Sequence, residues 1–113
     1  MSKGETKLAR DERLDLILHA LSDCTRRALL NRLAESGPTM VTELAAPFRI
    51  TRTAVAKHLR VLEMAGLVTR SIEGRVHRCS ISPQPLREVE RWLARYREFW
   101  TGTLDALARY AEK

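Results

Sequence analysis

The segment from Ile50 to Val68 limits the possible folds of this chain more than any other part. It reads ITRTAVAKHLRVLEMAGLV, and its spacing predicts one helix with an apolar face and a basic face. At about 100° per residue, Val55, Leu59 and Leu62 lie within roughly 60° of one another. The opposite side carries small, hydroxylated or cationic residues, namely Thr53, Ala56, Lys57 and Arg60.

This pattern permits two interpretations. Small side chains flanked by cations let a helix enter the DNA major groove, which is about 12 Å wide, so the segment is typical of a recognition helix. An ordinary amphipathic surface helix with solvated charges shows the same pattern. The neighbouring segments therefore decide between the two interpretations.

The positive charge of the chain is concentrated around this helix. The formal net charge is +6, from 20 Lys and Arg against 14 Asp and Glu. Residues 41–82 hold seven basic and three acidic residues, whereas the segments before and after each have only one basic residue in excess. A localised basic patch suits a polyanion such as nucleic acid, or an acidic membrane surface. A soluble protein that is merely basic is the alternative.

Length and composition favour one domain. A chain of 113 residues is expected to form a single domain. The sequence lacks the run of about 18 apolar residues that a membrane-spanning helix needs. Residues 1–10 are polar and lack the apolar core of a secretory signal, so we expect a flexible tail there and one domain over residues 11–113. Two cysteines do not make a disulfide framework. We therefore expect a cytoplasmic protein without a membrane partner.

Four helices are predicted ahead of a hairpin, over residues 11–21, 24–36, 41–46 and 51–65. The first has an apolar stripe that consists of Leu14, Ile17, Leu18 and Leu21. Asp23 and Thr51 suit N-cap positions, because their side-chain oxygens can accept from free backbone N–H groups. Gly37 and Gly66 suit the C-terminal ends. The third and fourth helices, joined by a short turn, form a helix-turn-helix.

A β-hairpin and a long helix follow. Residues 67–72 and 75–81 predict two strands around a Glu73-Gly74 turn, with Cys79 and Ile81 facing inward and Arg78 outward. The last helix is predicted to start at residues 82–85, where proline is accepted in the first turn, and to end near Ala111.

The last helix carries an apolar seam in heptad steps. The seam consists of Leu86, Val89, Leu93, Tyr96, Trp100, Thr103, Leu107 and Tyr110, and it is widened by Trp92, Phe99 and Leu104. A core of about 80 residues cannot cover so long a stripe, so the distal half predicts contact with a second chain. The alternative is that the seam folds back on Leu14, Ile17 and Leu21.

Together these elements have the layout of a winged helix-turn-helix, which is mainly α with a small β-hairpin. The segments ALSDCTRRALL (residues 20–30) and AVAKHLRVLEMAGLV (residues 54–68) resemble the ArsR (ArsR/SmtB) family of bacterial transcriptional regulators. Glu73-Gly74-Arg75 is similar to the wing turn of that family, and the resemblance covers roughly residues 12–100. It implies a homodimer that binds double-stranded DNA at an inverted-repeat operator and usually represses transcription.

Candidate functional residues follow from position. The DNA-reading segment of the family matches Thr51, Arg52, Thr53, Lys57, His58 and Arg60. His58 lies between the two helix faces, so it suits packing or phosphate contact, and Thr51 suits a cap or phosphate contact. Arg75 and His77 lie near the wing tip, where they can reach a neighbouring groove or the DNA backbone, with Arg70 and Arg78 as second choices.

The resemblance implies that the first and last helices, residues 11–22 and 83–112, form the dimer interface. The apolar stripes of these helices supply the candidate interface residues Leu14, Ile17, Leu21, Leu93, Tyr96, Trp100, Leu104 and Leu107.

The sequence departs from the metal-sensing members of that family. Those members carry Cys-x-Cys in the helix that matches residues 42–46, or Asp and His along the last helix. This chain has no cysteine in the former and no histidine in the latter. His77-x-Cys79 offers two zinc ligands, whereas zinc needs three or four. We therefore expect no metal and no cofactor. Cys24 begins a helix, where a thiol becomes more reactive, so a thiol- or metal-responsive repressor is an alternative.

Catalysis is not expected, because the sequence has no Gly-rich loop and no pattern of nucleophile, base and orienting group. A second alternative is a winged-helix module that binds protein and not DNA. The basic surface of residues 51–65 lacks aromatic residues, whereas protein hot spots favour Trp, Tyr and Arg. This composition favours DNA as the partner, and no residue pattern identifies an inducer.

Overall fold

The computed structural model describes residues 6–112. Within this range the chain forms six helices and one three-stranded sheet. In chain order the elements are α1 (Lys7–Leu21), α2 (Cys24–Ser36), β1 (Thr39–Met40), α3 (Val41–Ala45), α4 (Arg52–Met64), β2 (Val68–Glu73), β3 (Val76–Ile81), α5 (Gln84–Ala94) and α6 (Arg97–Ala111). The predicted fold class, a mainly helical winged helix-turn-helix with a small hairpin, is confirmed.

The ends of α2 and α4 follow from local hydrogen bonds that the sequence predicts. Asp23 accepts a hydrogen bond from the Arg26 N–H at 3.1 Å, and Thr51 accepts one from the Ala54 N–H at 3.0 Å. Each bond satisfies a donor that has no partner within its helix. Both helices are followed by a glycine in the left-handed region, Gly37 at φ 74° and Gly66 at φ 76°.

Helix α1 starts earlier than predicted. The Thr6 hydroxyl accepts a hydrogen bond from the Ala9 N–H at 3.0 Å, and the helix therefore begins at Lys7 and not at Asp11. The expected flexible tail is wrong for residues 7–10, while residues 1–5 lie outside the described part of the chain. The apolar stripe does not extend into this first turn, so periodicity did not reveal it.

Strand β1 was not predicted. It pairs antiparallel with β3, Thr39 opposite Cys79 and Met40 opposite Arg78, which gives the sheet order β1-β3-β2. Two residues are too few for an alternating pattern to show in the sequence. The strand connects α2 to α3 along the edge of the hairpin, so the wing is anchored to the helical part of the fold.

The hairpin turn lies one residue later than predicted. Glu73 pairs with Val76, so the two turn residues are Gly74 and Arg75. Gly74 has φ 63°, and Arg75 does not have a positive φ. Glycine at the first central position and a negative φ at the second fit a type II′ turn, which matches the twist of the flanking strands.

One apolar core joins α1, α2, α3 and α4 to the sheet. Its buried residues are Ile17, Ala20, Leu29, Leu30, Leu33, Leu44, Val55, Leu59, Leu62, Leu67, Val68 and Cys79. Helix α1 packs on α2, α4 and α5, and so lies between the helix-turn-helix and the C-terminal part of the chain. On β3, Cys79 faces the core and Arg78 faces outward, as predicted, and Ile81 packs against the core.

The last helix is broken, which corrects the prediction of one continuous helix. Helix α5 ends at Ala94 and α6 begins at Arg97. Between them, the Arg95 N–H donates to the Trp92 carbonyl and the Tyr96 N–H donates to the Leu93 carbonyl at 2.9 Å, so the chain tightens to three-residue bonding. Neither Pro nor Gly lies in this bend, and a heptad pattern alone does not reveal it.

We expect Thr51→Ala to lower the free energy of unfolding by about 1 kcal/mol, because the Ala54 N–H loses its acceptor. Thr53→Ala is the matched control, since Thr53 is exposed on the same helix and is not the cap. It should change the stability by less than about 0.5 kcal/mol. Urea unfolding followed by circular dichroism, at equal protein concentration, measures both. Equal losses in the two variants would contradict the capping role.

Candidate nucleic-acid interface

Helix α4 divides its side chains between the core and solvent as its spacing predicts. Val55, Leu59 and Leu62 are buried, at 1% exposure or less. The exposed side of the helix carries Arg52, Thr53, Ala56, Lys57 and Arg60. The apolar face holds the helix against the core, and the basic face is therefore presented to solvent as one surface.

The cations on this face are free to bind a ligand. Among residues 6–112, none of Arg52, Lys57 and Arg60 has an ion-pair or side-chain hydrogen-bond partner. Small side chains at Thr53 and Ala56 separate these cations. Met64, 70% exposed, extends the same side of the helix. The charge pattern of the sequence does not mark Met64, because its side chain is apolar.

Thr51 lies exposed at the start of the helix, where its oxygen accepts the capping bond. A hydroxyl that accepts still has a proton to donate. Of the two roles that the sequence left open for Thr51, the structure therefore shows the cap and leaves the donor available to a phosphate.

Of the two roles that the sequence left open for His58, packing and phosphate contact, the structure shows packing, because the side chain is half-buried beside Arg26. The Arg26 guanidinium lies 3.3 Å from His58 Nδ1, whereas Asp23 Oδ2 lies 3.8 Å away. Only the shorter of these two distances is within hydrogen-bond range. His58 therefore connects α4 to α2.

Arg26 is the buried centre of this cluster. Its Nε donates to the Ala20 carbonyl at 2.7 Å and its Nη2 donates to the His19 carbonyl at 3.0 Å. Beside it, the pKa of the Asp23 carboxyl is held below its usual range, first by the hydrogen bond from the Arg26 N–H and then by nearby positive charge. The cluster ties the end of α1 and the start of α2 to the middle of α4.

The wing presents one of its two predicted contact residues to solvent. Arg75 is exposed at the turn, with no bonded partner among the described residues. His77 is half-buried and lies beside Met40 and Thr42, and its Nδ1 is buried without a hydrogen-bond partner among residues 6–112. His77 shares a strand face with the buried Cys79, so it lies on the inner side of the sheet. Its role as a DNA contact stays a prediction.

Arg70 and Arg78, the second choices for DNA contact in the wing, also lie in different environments. Arg70 Nη2 donates to Glu63 Oε1 at 2.5 Å, and so ties β2 to α4. Arg78 is exposed on the outer face of β3. The wing also exposes the apolar side chains of Ile72, at 61%, and Val76, at 38%. Val76 shares the outer face of β3 with Arg78, whereas Ile72 pairs with His77 and lies on the same face as Cys79.

The predicted interface residues fall into two groups. Ile17 is a core residue at 1% exposure, and Leu21 packs against the same core, so neither is presented to a partner. The exposed apolar residues of α1 are Leu8 and Leu16 instead. The sequence stripe missed both, because Leu8 was assigned to the tail and Leu16 lies off the stripe. Leu14 is half-buried between α1 and α5.

The C-terminal candidates are exposed. No residue of α6 is buried, and the apolar side chains exposed after residue 92 are Leu93, Tyr96, Phe99, Trp100, Leu104, Leu107 and Tyr110. Phe99 is 72% exposed and Tyr110 is 80% exposed. Contiguous apolar surface of this extent marks an interaction site. The alternative, that the seam folds back on its own chain, holds only for its first turns, where Leu86 and Val89 pack against the core.

The two cysteines occupy different environments. Cys79 is fully buried, and this burial raises the pKa of its thiol. Cys24 is exposed at the first residue of α2. Within residues 6–112, no three His, Cys, Asp or Glu residues lie close enough together to hold a metal ion. Over the same range, none of the helices has the length and apolar character to cross a bilayer.

Comparison with known proteins gives the same assignment as the geometry. Residues 21–71 match a family of helix-turn-helix domains. An HTH-type transcriptional regulator of Mycobacterium tuberculosis is 39% identical over 95 residues, which cover 84% of this chain and 85% of the relative. The HTH-type transcriptional regulator YuzN of Bacillus subtilis is 40% identical over 81 residues, 66% of this chain and 88% of the relative. The arsenical resistance operon repressor of Bacillus subtilis is 30% identical over 70 residues, which cover 62% of this chain and 67% of the relative.

Solved structures of similar proteins support the same assignment. An ArsR family transcriptional regulator superposes with a TM-score of 0.75 at 43% identity, covering 80% of this chain and 93% of that one. A homodimeric winged helix-turn-helix DNA-binding domain from Mycobacterium bovis has a TM-score of 0.66 at 22% identity, covering 88% of this chain and 94% of that one. At this identity the similarity is evidence of the fold alone. This chain therefore belongs to the ArsR family of helix-turn-helix transcriptional regulators.

Proposed function

We propose that two copies of this chain bind an inverted-repeat operator in double-stranded DNA and repress transcription. The observation that carries the proposal is the solvent-facing row of Arg52, Lys57 and Arg60 on α4, which has no partner among residues 6–112. A polyanion neutralises such a row and releases its own counterions, which makes binding favourable.

In this proposal α4 lies in the major groove. Thr53 and Ala56 let the helix backbone approach the base edges, and the longer cations reach guanine or phosphate on either side. Arginine or lysine on guanine discriminates by about 1–3 kcal/mol when the contact is bidentate. The Thr51 hydroxyl donates to a phosphate at the start of the helix, and Arg75 reaches the backbone or the minor groove from the wing.

The dimer in this proposal forms through the apolar surface of α6, together with the end of α5. Two-fold symmetry places the two α4 helices in successive major grooves, about 34 Å apart, and so matches an inverted repeat. The homodimeric state named for the Mycobacterium bovis domain supports this assembly, and the Bacillus subtilis relative named as a repressor supports repression. Its partners are therefore a second copy and DNA.

The first test of the proposal removes charge from α4. We expect Lys57→Ala with Arg60→Ala to weaken binding at least about tenfold to an operator selected from a random DNA pool. Each lost phosphate contact also lowers the slope of log affinity against log salt by about one unit. Fluorescence anisotropy over a salt series measures both quantities.

Two control variants accompany this test. Arg87→Ala removes one exposed charge from α5 and should leave the affinity close to that of the parent. His58→Ala should weaken binding without lowering the salt slope, because it removes the contact with Arg26 that orients α4 and leaves the exposed cations of α4 in place. If the parent chain binds no DNA even at low salt, the proposal fails and a protein-binding winged helix takes its place.

A second test addresses the dimer. Leu104→Glu with Leu107→Glu places two charges on an apolar surface that is 61% and 59% exposed at these residues in one chain. We expect the variant to sediment as a monomer while the parent sediments as a dimer, because an interface core excludes unpaired charge. Arg109→Glu changes the charge by the same two units on the opposite side of α6 and is the matched control. A dimer that persists in the double variant would place the interface elsewhere.

A further inference from the structure

A second basic site lies between α1 and α5. Five cations line one cleft of about 340 Å³: Lys7, Arg10 and Arg13 of α1, Arg91 of α5, and Arg95, which directly follows α5. None of the lining residues belongs to α4 or to the wing, so the cleft is separate from the proposed DNA surface. Its volume lies within the range of about 300–1,000 Å³ for small-molecule sites.

The sequence register of the two helices builds this cleft. Along α5 and the residue after it, Glu88, Arg91, Trp92 and Arg95 follow at steps of three and four, which brings them to one side of the helix. On α1, Lys7, Arg10 and Leu14 do the same. Helices α1 and α5 pack on each other, so the two rows face a common space.

The positive charge in the cleft is only partly neutralised. Arg13 donates from Nε to Glu88 Oε1 at 2.9 Å, and its Nη2 donates to the same oxygen. Arg10, Arg91 and Arg95 are exposed and have no side-chain partner among residues 6–112. Arg91 in α5 and Arg95 directly after it are four residues apart, where like charges repel. Asp11 also lines the cleft, so five cations face two carboxylates, and the remaining excess of positive charge attracts an anion.

The wall of the cleft also has an apolar part. Leu14 and Trp92 are both half-buried and line the same space as the cations. The Trp92 ring is held edge-on to Tyr96, with 5.6 Å between the ring centres. An indole in this position offers a flat apolar surface next to guanidinium groups.

We propose that this cleft binds a small organic anion, with a carboxylate or phosphate head that pairs with Arg10 and Arg91 and a short apolar body that packs on Trp92. Both parts of the ligand match the lining: the charged head meets the arginines, and the apolar body meets the free face of the Trp92 indole and Leu14. The site lies one helix away from α4, because α1 packs on both α4 and α5.

The test uses phenylbutyrate as the probe and the full-length chain with Trp100→Phe. Trp92 is then the only tryptophan, since the sequence has two, and its fluorescence reports on the cleft. We expect saturable binding of phenylbutyrate. Phenylbutanol, which keeps the apolar body without the charge, and inorganic phosphate, which keeps the charge without the body, should each bind at least about tenfold more weakly.

Variants then locate the site. Arg10→Gln with Arg91→Gln should weaken phenylbutyrate binding at least about tenfold, and Arg91→Lys, which keeps the charge, should weaken it less. Arg87→Gln and Arg109→Gln remove the same charge outside the cleft lining and should bind like the parent. Circular dichroism confirms that each variant is folded. Lys57→Ala should keep phenylbutyrate binding, so a failure of the DNA proposal is distinguishable from a failure of this one.

Four outcomes would overturn the proposal. They are an absence of saturable binding by phenylbutyrate, equal affinity for phenylbutanol, equal losses in the cleft and control variants, and binding that weakens as the protein concentration rises. The last result would mean that a second copy of the chain covers the cleft.

Discussion

The buried Arg26 guanidinium is the interaction on which the placement of α4 depends. A charged group at 9% exposure is stable only where its donors are satisfied, and Arg26 meets this condition with the carbonyls of Ala20 and His19 and the imidazole of His58. Those carbonyls belong to the last turn of α1, where the helix itself supplies no donor. The Arg26 side chain therefore extends from the first turn of α2, satisfies two carbonyls at the end of α1 and holds α4 in place through His58. The position of the exposed cations Arg52, Lys57 and Arg60 on α4 therefore depends on the bond between Arg26 and His58.

The cations of α4 and the largest exposed apolar surface, which follows residue 92, lie on different elements. Helix α4 and the outer wing expose cations, whereas the chain after residue 92 exposes large apolar side chains. Charge favours fast, salt-dependent association with a polyanion, and apolar area favours a lasting contact with a second chain. Helix α1 lies between these surfaces and packs on both α4 and α5. The same helix also forms one wall of the basic cleft, so the three surfaces meet through one element.

Much of the fold could be predicted from the sequence, because its helices have local stop and start signals. The bounds of α2 follow from Asp23 and Gly37, and the apolar face of α4 follows from its spacing. Strand β1 and the bend at Arg95 were missed, since two residues show no alternation and the bend contains neither Pro nor Gly. The first turn of α1 was missed for a similar reason, because its cap at Thr6 lies outside the apolar stripe.

The sequence by itself determined which residue types share a helix face, because periodicity and capping are properties of neighbouring residues. It therefore determined the cationic side of α4 and the apolar seam of the last helices. Only the tertiary structure decided which of those residues reach solvent. His58 and His77 turn inward because Arg26 and the inner side of the sheet lie beside them, and Ile17 is enclosed by a core that several elements build together. Such contacts join residues far apart in the chain, and no local pattern contains them.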